Sequence, residues 1–323
     1  HRYLHSFPTR RSSDLTNRNT ANASSATAFN YVDKSVVFRL YVNRNEITNL
    51  TNDLTTDVTK TFGNITLTDT LPAGWEFIEI ASGKNFLIYE GDRAGDGTVT
   101  AKENEISETL LGFTSNFTEA GKATFAFSTM DHPYIIYVKA RPTLGTQTNY
   151  FSSNLETNVT NTLNFKSANW AGHDTTSDVQ VTSQILDKSY TTSNPLNGLL
   201  SWKIDYKPYE LNPADIAGAN LRIEDILPEG MDLIMNASGN VDLIASQIAV
   251  NELNLQINGT YTLGNLVPLT LGDNLLYDFN TRTLTYKIPN SAPQKGYRLS
   301  YLTEINGNSG ATLTNTVKLI GAN

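Results

Sequence analysis

The chain has 323 residues, 24 basic against 32 acidic side chains, a formal charge of −8 and no cysteine. Such a balance repels nucleic acid and anionic membranes, and the absence of cysteine excludes disulfides and thiolate metal sites. With 15 Tyr and 13 Phe against 3 Met, and with abundant Thr and Asn, the composition is that of an all-β protein.

In chain order, residues 1–15 (HRYLHSFPTRRSSDL) read as the translation of a sequencing adapter and are set aside from fold reasoning. Without them 21 basic side chains face 31 acidic ones, a charge of −10. The first authentic module is then expected to begin after its natural first strand. About 308 residues remain, enough for two domains of roughly 150 each, placed at 16–183 and 184–323. No apolar run approaches the roughly 20 residues needed to span a bilayer, so no membrane insertion is expected within this stretch.

The first strand signal is VVFRLYVN (36–43). NITLTDTLPAGWEFI (64–78) follows as an acid-bearing strand closed by Leu-Pro-x-Gly, for which proline favours a type I turn. DRAGDGTVTAKE (92–103) fits a twelve-residue calcium loop with Asp92 first, Asp96 fifth and Glu103 twelfth, although Ala94 at the third position has no ligand oxygen. A glycine-rich hairpin is the competing reading there. ATFAFS, YIIYVKA and LETNVTNTLNF (155–165) read as strands, SANWAGHDTTSDV (167–179) as a crossing loop, and Val179–Val181 as a last strand. The second half then offers QILDKSY, LLSWKIDY (199–206), NLRIEDILPEGMDLI (220–234), a short helix over VDLIASQIAVNEL (241–253), TLTYKI, YRLSYLTEI and GATLTNTVKLI (310–320). It is expected to lack a counterpart of the final strand of the first half.

The halves repeat each other. Asp69 and Asp225 are 156 positions apart, and Asn161 and Asn315 are 154 apart. By strand alternation Asp69 shares a face with Ile65, Leu67 and Leu71, and Asp225 with Leu221, Ile223 and Leu227. Asn161 falls with Val159, Leu163 and Phe165, and Asn315 with Leu313, Val317 and Leu319. Each module therefore turns one Asp and one Asn toward its core, where unpaired polar groups are costly, so the two should meet.

Lys188, on a face with Leu186 and Tyr190, adds a third inward polar group to the second half. Desolvation removes the proton from a lysine and gives one to a carboxyl group. Neutral Lys188 could attack the side-chain carbonyl of Asn315, with protonated Asp225 polarising that carbonyl and shuttling protons as ammonia leaves. The product is an amide bond between the first and last strands of the module.

Inward Lys188, Asp225-x-Leu-Pro-x-Gly230 and Thr314-Asn315-Thr316 resemble the isopeptide-forming Ig-like domains of Gram-positive surface adhesins and pilins, of the collagen-adhesin A-domain type. The resemblance covers 30–323 and implies two tandem Ig-like, Greek-key β-sandwiches. It implies Lys188 and Asn315 as isopeptide partners and Asp225 as their catalyst. It also implies an extracellular, cell-wall setting, as one bead of a stalk beside neighbouring modules of the same chain or as part of an adhesive tip. The first half departs from the pattern. The position of its lysine falls near Ser24, where none occurs. Lys34 stands as far before Asn161 as Lys188 before Asn315, and shares a face with Val32 and Val36, yet it belongs to the strand matching 199–206.

Two rival functions are a ligand-binding region recognising a host matrix protein or glycan, and an accessory β-sandwich of a secreted hydrolase. Beyond the adapter only His132 and His173 remain. Neither stands in a Ser/His/Asp or histidine–metal arrangement.

Overall fold

The computed structural model of the protein describes residues 29–46, 64–106, 110–128, 130, 132–168, 170–194, 198–306 and 312–322. The adapter-like segment and Ser24 lie outside the described residues. The first half contributes β1 (Phe29–Asn30), β2 (Ser35–Val42), β3 (Ile65–Thr70), β4 (Trp75–Ile78), β5 (Phe86–Arg93) and β6 (Val99–Glu105). It continues with β7 (Phe113–Asn116), β8 (Lys122–Phe127), β9 (Tyr134–Pro142), β10 (Leu155–Ser167) and β11 (Trp170–Ser183). The second half contributes β12 (Leu186–Asn194), β13 (Leu199–Tyr206), β14 (Ala217–Ile226), β15 (Met231–Leu233) and β16 (Ala249–Leu255). Then come β17 (Tyr261–Val267), β18 (Leu275–Asp278), β19 (Thr283–Lys287), β20 (Gly296–Ile305) and β21 (Thr316–Ala322). The chain divides into two compact units. One runs to Gln147 and includes Thr157–Val181, and the other holds Thr148–Glu156 and Thr182–Asn323. The 148–156 segment, which a linear cut at 183/184 assigns to the first half, is tied to the second unit by the Ser183 hydroxyl donating to Ser153 O at 2.6 Å and Asn154 Nδ2 donating to Leu186 O at 3.2 Å.

The sequence repeat is a topological repeat. One sheet of the first unit has the order β1-β2-β9-β5-β6, with β4 on β9, and its counterpart in the second unit is β12-β13-β20-β16-β17, with β15 on β20. The other sheet runs β7-β8-β3-β10, matched by β18-β19-β14-β21, and β11 extends the first of these beyond β10. The protein is nearly all β, as its β-branched and aromatic content requires. Period-two burial turns one face of each sheet inward: Ile65, Leu67 and Asp69 on β3, and Leu221, Ile223 and Asp225 on β14, are all buried. Within each unit the two sheets meet through aromatic rings. Phe86 of β5 lies 5.5 Å from Phe125 of β8, and Tyr286 of β19 lies 5.9 Å from Tyr297 of β20. Phe125, Tyr286 and Tyr297 are buried, and burying such a ring contributes about 1.5–3 kcal/mol.

Several expectations need correction. In both Leu-Pro-x-Gly turns the hydrogen bond runs from the residue after glycine to the proline carbonyl (Trp75 to Pro72 and Met231 to Pro228, each 3.2 Å). Glycine therefore occupies the third position with φ of 80° at Gly74 and 84° at Gly230, which is type II geometry rather than type I. A Cβ at Gly74 would also lie 2.7 Å from Thr146 Cγ2. Gly74→Ala is expected to destabilise the first unit by roughly 1–3 kcal/mol, read as a lower urea midpoint for that unit.

The supposed loop 167–179 is mostly β11. Its Thr and Val residues suit an edge strand, and Gly172, at φ 110°, sits where a Cβ would come within 2.8 Å of Phe165 O. The expected helix at 241–253 is one capped turn followed by β16. Asp242 Oδ1 accepts from Ile244 N and Ala245 N, and Gln247 at φ 46° ends the turn.

Candidate functional site

In the second unit β14 is paired with β21 so that Asp225 faces Val317. Asn315, two residues before Val317 on the same alternation, then lies diagonal to the acid. β12 pairs with β13 at Lys188↔Ile204, and β13 with β20 at Trp202↔Tyr301. Lys188 and Tyr301 thus come from one sheet, and Asp225 and Asn315 from the side of the other, and they close on each other across the core. Lys188 Nζ donates to Asp225 Oδ1. The Tyr301 hydroxyl donates to Asp225 Oδ2 and accepts from Asn315 Nδ2 at 3.1 Å. The ammonium also sits 4.7 Å from the centre of the Trp202 ring, whose Nε1 donates to Thr303 Oγ1 at 2.9 Å.

This set is dry. The Asp225 side chain is fully buried and that of Lys188 is 10% exposed. Burial pushes the Asp225 pKa up, against the opposing pull of Lys188 and of hydrogen bonds from Lys188, Tyr301 and Asn315. Burial pushes the Lys188 pKa down, with Asp225 opposing. Both shifts move the pair from ammonium and carboxylate toward amine and acid, the forms in which nitrogen is nucleophilic and oxygen holds a proton. Asn315 Oδ1 is a buried atom without a hydrogen-bond partner among the described residues. It is an acceptor placed beside a group on which burial favours a proton.

Sequence reasoning brings Lys188, Asp225 and Asn315 to one place, and there the structure adds Tyr301 and Trp202. Tyr190 does not share the inward environment of Lys188. It is 61% exposed on edge strand β12, its ring 5.2 Å from Trp202.

The first unit holds half of the arrangement. Asp69 faces Leu163, and Asn161 is again two residues before that partner. Both are buried, yet among the described residues neither carboxyl oxygen of Asp69 nor Oδ1 of Asn161 has a hydrogen-bond partner within bonding geometry. Burial raises the Asp69 pKa to about 7, offset only in part by the neighbouring Asn161 amide. Lys34 makes no bond to Asp69. It occupies the turn between β1 and β2 at φ 51°, and that turn breaks the alternation, leaving Val32 exposed while Lys34 and Val36 are buried. The counterpart of Ile204, which faces Lys188, is Leu40 on β2, and no described lysine pairs with it. The stretch before β1 lies outside the described residues, and the sequence has no lysine before Lys34. The other partners differ as well. Val138 stands where Tyr301 does, Phe38 where Trp202 does and Ala140 where Thr303 does.

The 92–103 stretch is a hairpin: Asp92 lies on β5, Glu103 on β6, and Asp96 in the turn accepts from Thr98 N and Oγ1. Among the described residues no group of three or more acids or histidines could hold a metal ion. Strands in place of flanking helices draw the three acids out along the hairpin.

No protein-family model matches the sequence, and no curated protein matches it. Among solved structures the chain is similar to the C-terminal domain of the Streptococcus agalactiae AgI/II polypeptide BspA (9% identity, 89% of each chain, TM-score 0.32). It is also similar to the collagen adhesin CNA of S. aureus (13% identity, 88% of this chain and 80% of that one, TM-score 0.27). A third is the collagen-binding domain of the Erysipelothrix rhusiopathiae surface protein RspB (13% identity, 90% and 82%, TM-score 0.28). These neighbours are bacterial surface-protein domains, and at this level the likeness says nothing of ligand or chemistry.

Proposed function

We propose that the protein is a structural and adhesive module of a bacterial cell surface, whose second unit locks itself with an amide bond between Lys188 and Asn315. The observation that supports this reading is the continuous chain of contacts from Lys188 through Asp225 and Tyr301 to Asn315, buried at its centre. Asp225 takes the ammonium proton, Nζ adds to Cγ of Asn315, the bond from Cγ to Nδ2 breaks, and ammonia leaves. No external substrate, cofactor or metal is consumed, so the step is a single maturation event.

The placement suits load. A bond from the first strand of the unit to the start of its last strand shields everything between them from a pull on the chain ends. The extracellular, wall-bound setting rests on the family resemblance of the Lys, Asp and Asn order. In the first unit the same chemistry has acid and amide but no lysine among the described partners, and we read it as unlocked.

Intact mass under denaturing conditions tests the reading. Wild type should fall below its sequence mass by one ammonia, whereas Lys188→Ala and Asn315→Ala each match theirs. A wild-type mass equal to the sequence value overturns the proposal.

A further inference from the structure

We propose that Tyr301 is a catalytic residue of this cross-linking step, the acid that protonates the departing nitrogen of Asn315. The inference rests on the amide-bond reading above and assigns it a fourth participant.

The hydroxyl touches a reacting atom. Of the two polar atoms on the Asn315 side chain, Nδ2 donates a hydrogen bond to the Tyr301 oxygen at 3.1 Å, and Nδ2 is the atom that must leave as ammonia. The same hydroxyl reaches Asp225 Oδ2, while Lys188 Nζ reaches Asp225 Oδ1. A continuous path therefore joins the nitrogen that must lose a proton to the nitrogen that must gain one, and it runs through both carboxyl oxygens and the phenol.

The direction of the last bond reverses during the reaction. In the amide, the lone pair of Nδ2 is delocalised and the group only donates. Once Nζ has added to Cγ the carbon is tetrahedral, and Nδ2 regains a basic lone pair. The phenol oxygen, an acceptor before attack, is then placed to donate. Starting from neutral Lys188 and protonated Asp225, one proton passes from Nζ to Asp225 Oδ1. One passes from Oδ2 to the tyrosine oxygen, and the tyrosine proton passes to Nδ2. The bond from Nζ to Cγ forms, the bond from Cγ to Nδ2 breaks, ammonia departs, and Asp225 and Tyr301 end as they began. No other acid is required, which matters where the relay runs through Asp225 and Tyr301, both buried.

The first unit makes the contrast within the same chain. It keeps the buried acid and the diagonal amide, but Val138 occupies the position of Tyr301, and among the described residues no hydroxyl reaches the oxygens of Asp69. The hydroxyl thus accompanies the complete set and is missing from the incomplete one, which marks it as part of the chemistry rather than of the shared core.

Tyr301→Phe removes only the hydroxyl. Wild type should be fully cross-linked on isolation. Tyr301→Phe should complete the reaction about 100-fold more slowly or worse, seen as intact mass drifting from the sequence value over time. Cross-linking at the wild-type rate overturns the assignment while leaving the amide bond itself standing. A wild-type chain that retains its ammonia overturns the amide bond and the assignment together. Packing is separated from chemistry in two ways. Lys188→Ala and Lys188→Ala/Tyr301→Phe, neither of which can cross-link, should unfold at similar temperatures. A fluorinated tyrosine at 301, which keeps shape and hydroxyl but has a more acidic phenol, should shift the cross-linking rate and its pH profile. An unchanged rate and profile assign Tyr301 to packing and overturn its catalytic role.

Discussion

Lys188→Ala should lower the thermal midpoint of the second unit by roughly 10–20 °C. The proposed bond joins residues 127 positions apart. Closing a loop of that size removes conformational entropy from the unfolded chain worth on the order of 4–5 kcal/mol, by analogy with a long-loop disulfide. In a domain of this size each kcal/mol moves the midpoint by about 2–4 °C. Lys188→Ala also removes a buried ion pair and a contact with Trp202, so Asn315→Ala, which spares both, is the sharper comparison. Both variants should melt well below wild type, with Lys188→Ala the lower of the two. Scanning calorimetry on all three chains checks this, and coincident wild-type and Asn315→Ala transitions would show that no covalent restraint operates.

The second large effect lies in the first unit and has the opposite sign. Asp69 is fully buried with no charged partner among the described residues, only the Asn161 amide opposes that burial, and its pKa in the folded chain is raised to about 7 from 3.8. A carboxyl group with a raised folded pKa binds more protons in the native state. Its cost is absent below pH about 4, grows as pH rises toward 7, and is constant above that. Once the carboxyl group is ionised in both states, a rise of that size costs the native state about 4 kcal/mol. Asp69→Asn, isosteric and uncharged, should therefore stabilise the first unit at pH 8 by up to that amount and change little at pH 4. Urea unfolding at the two pH values measures it. Equal midpoints for wild type and variant at pH 8 would mean that Asp69 has a charged partner.

Much of this was readable in the sequence because β-strands write burial with period two. An acid on the apolar face of LRIEDIL, and an asparagine on that of TLTNTVKL, stand out against a strict alternation, and the structure keeps both alternations. Asp225 is fully buried, whereas Leu313, Asn315, Val317 and Leu319 are only half-buried because β21 is the edge of its sheet. Tyr301 was not visible. In YRLSYLTEI it alternates with Tyr297, Leu299 and Thr303 and looks like one more core ring, and only cross-sheet register shows what its hydroxyl meets. Aligning β9 with β20 would have offered a hint, since valine and tyrosine exchange there while leucine and isoleucine are conserved in kind. Lys34 misled for the converse reason. Its spacing to Asn161 matches, but a four-residue turn at 31–34 interrupts the strand, and alternation carries no meaning through a turn. The calcium template at 92–103 likewise matched residue types without the flanking helices that bring such a loop's oxygens together.

Peptide mapping of the purified protein tests the central claim most directly. Tandem mass spectrometry of a digest should find one branched peptide in which Nζ of Lys188 is bonded to Cγ of Asn315, with one ammonia missing and no linear form of either segment. Linear peptides carrying an unmodified lysine at 188 and an intact carboxamide at 315 would contradict it.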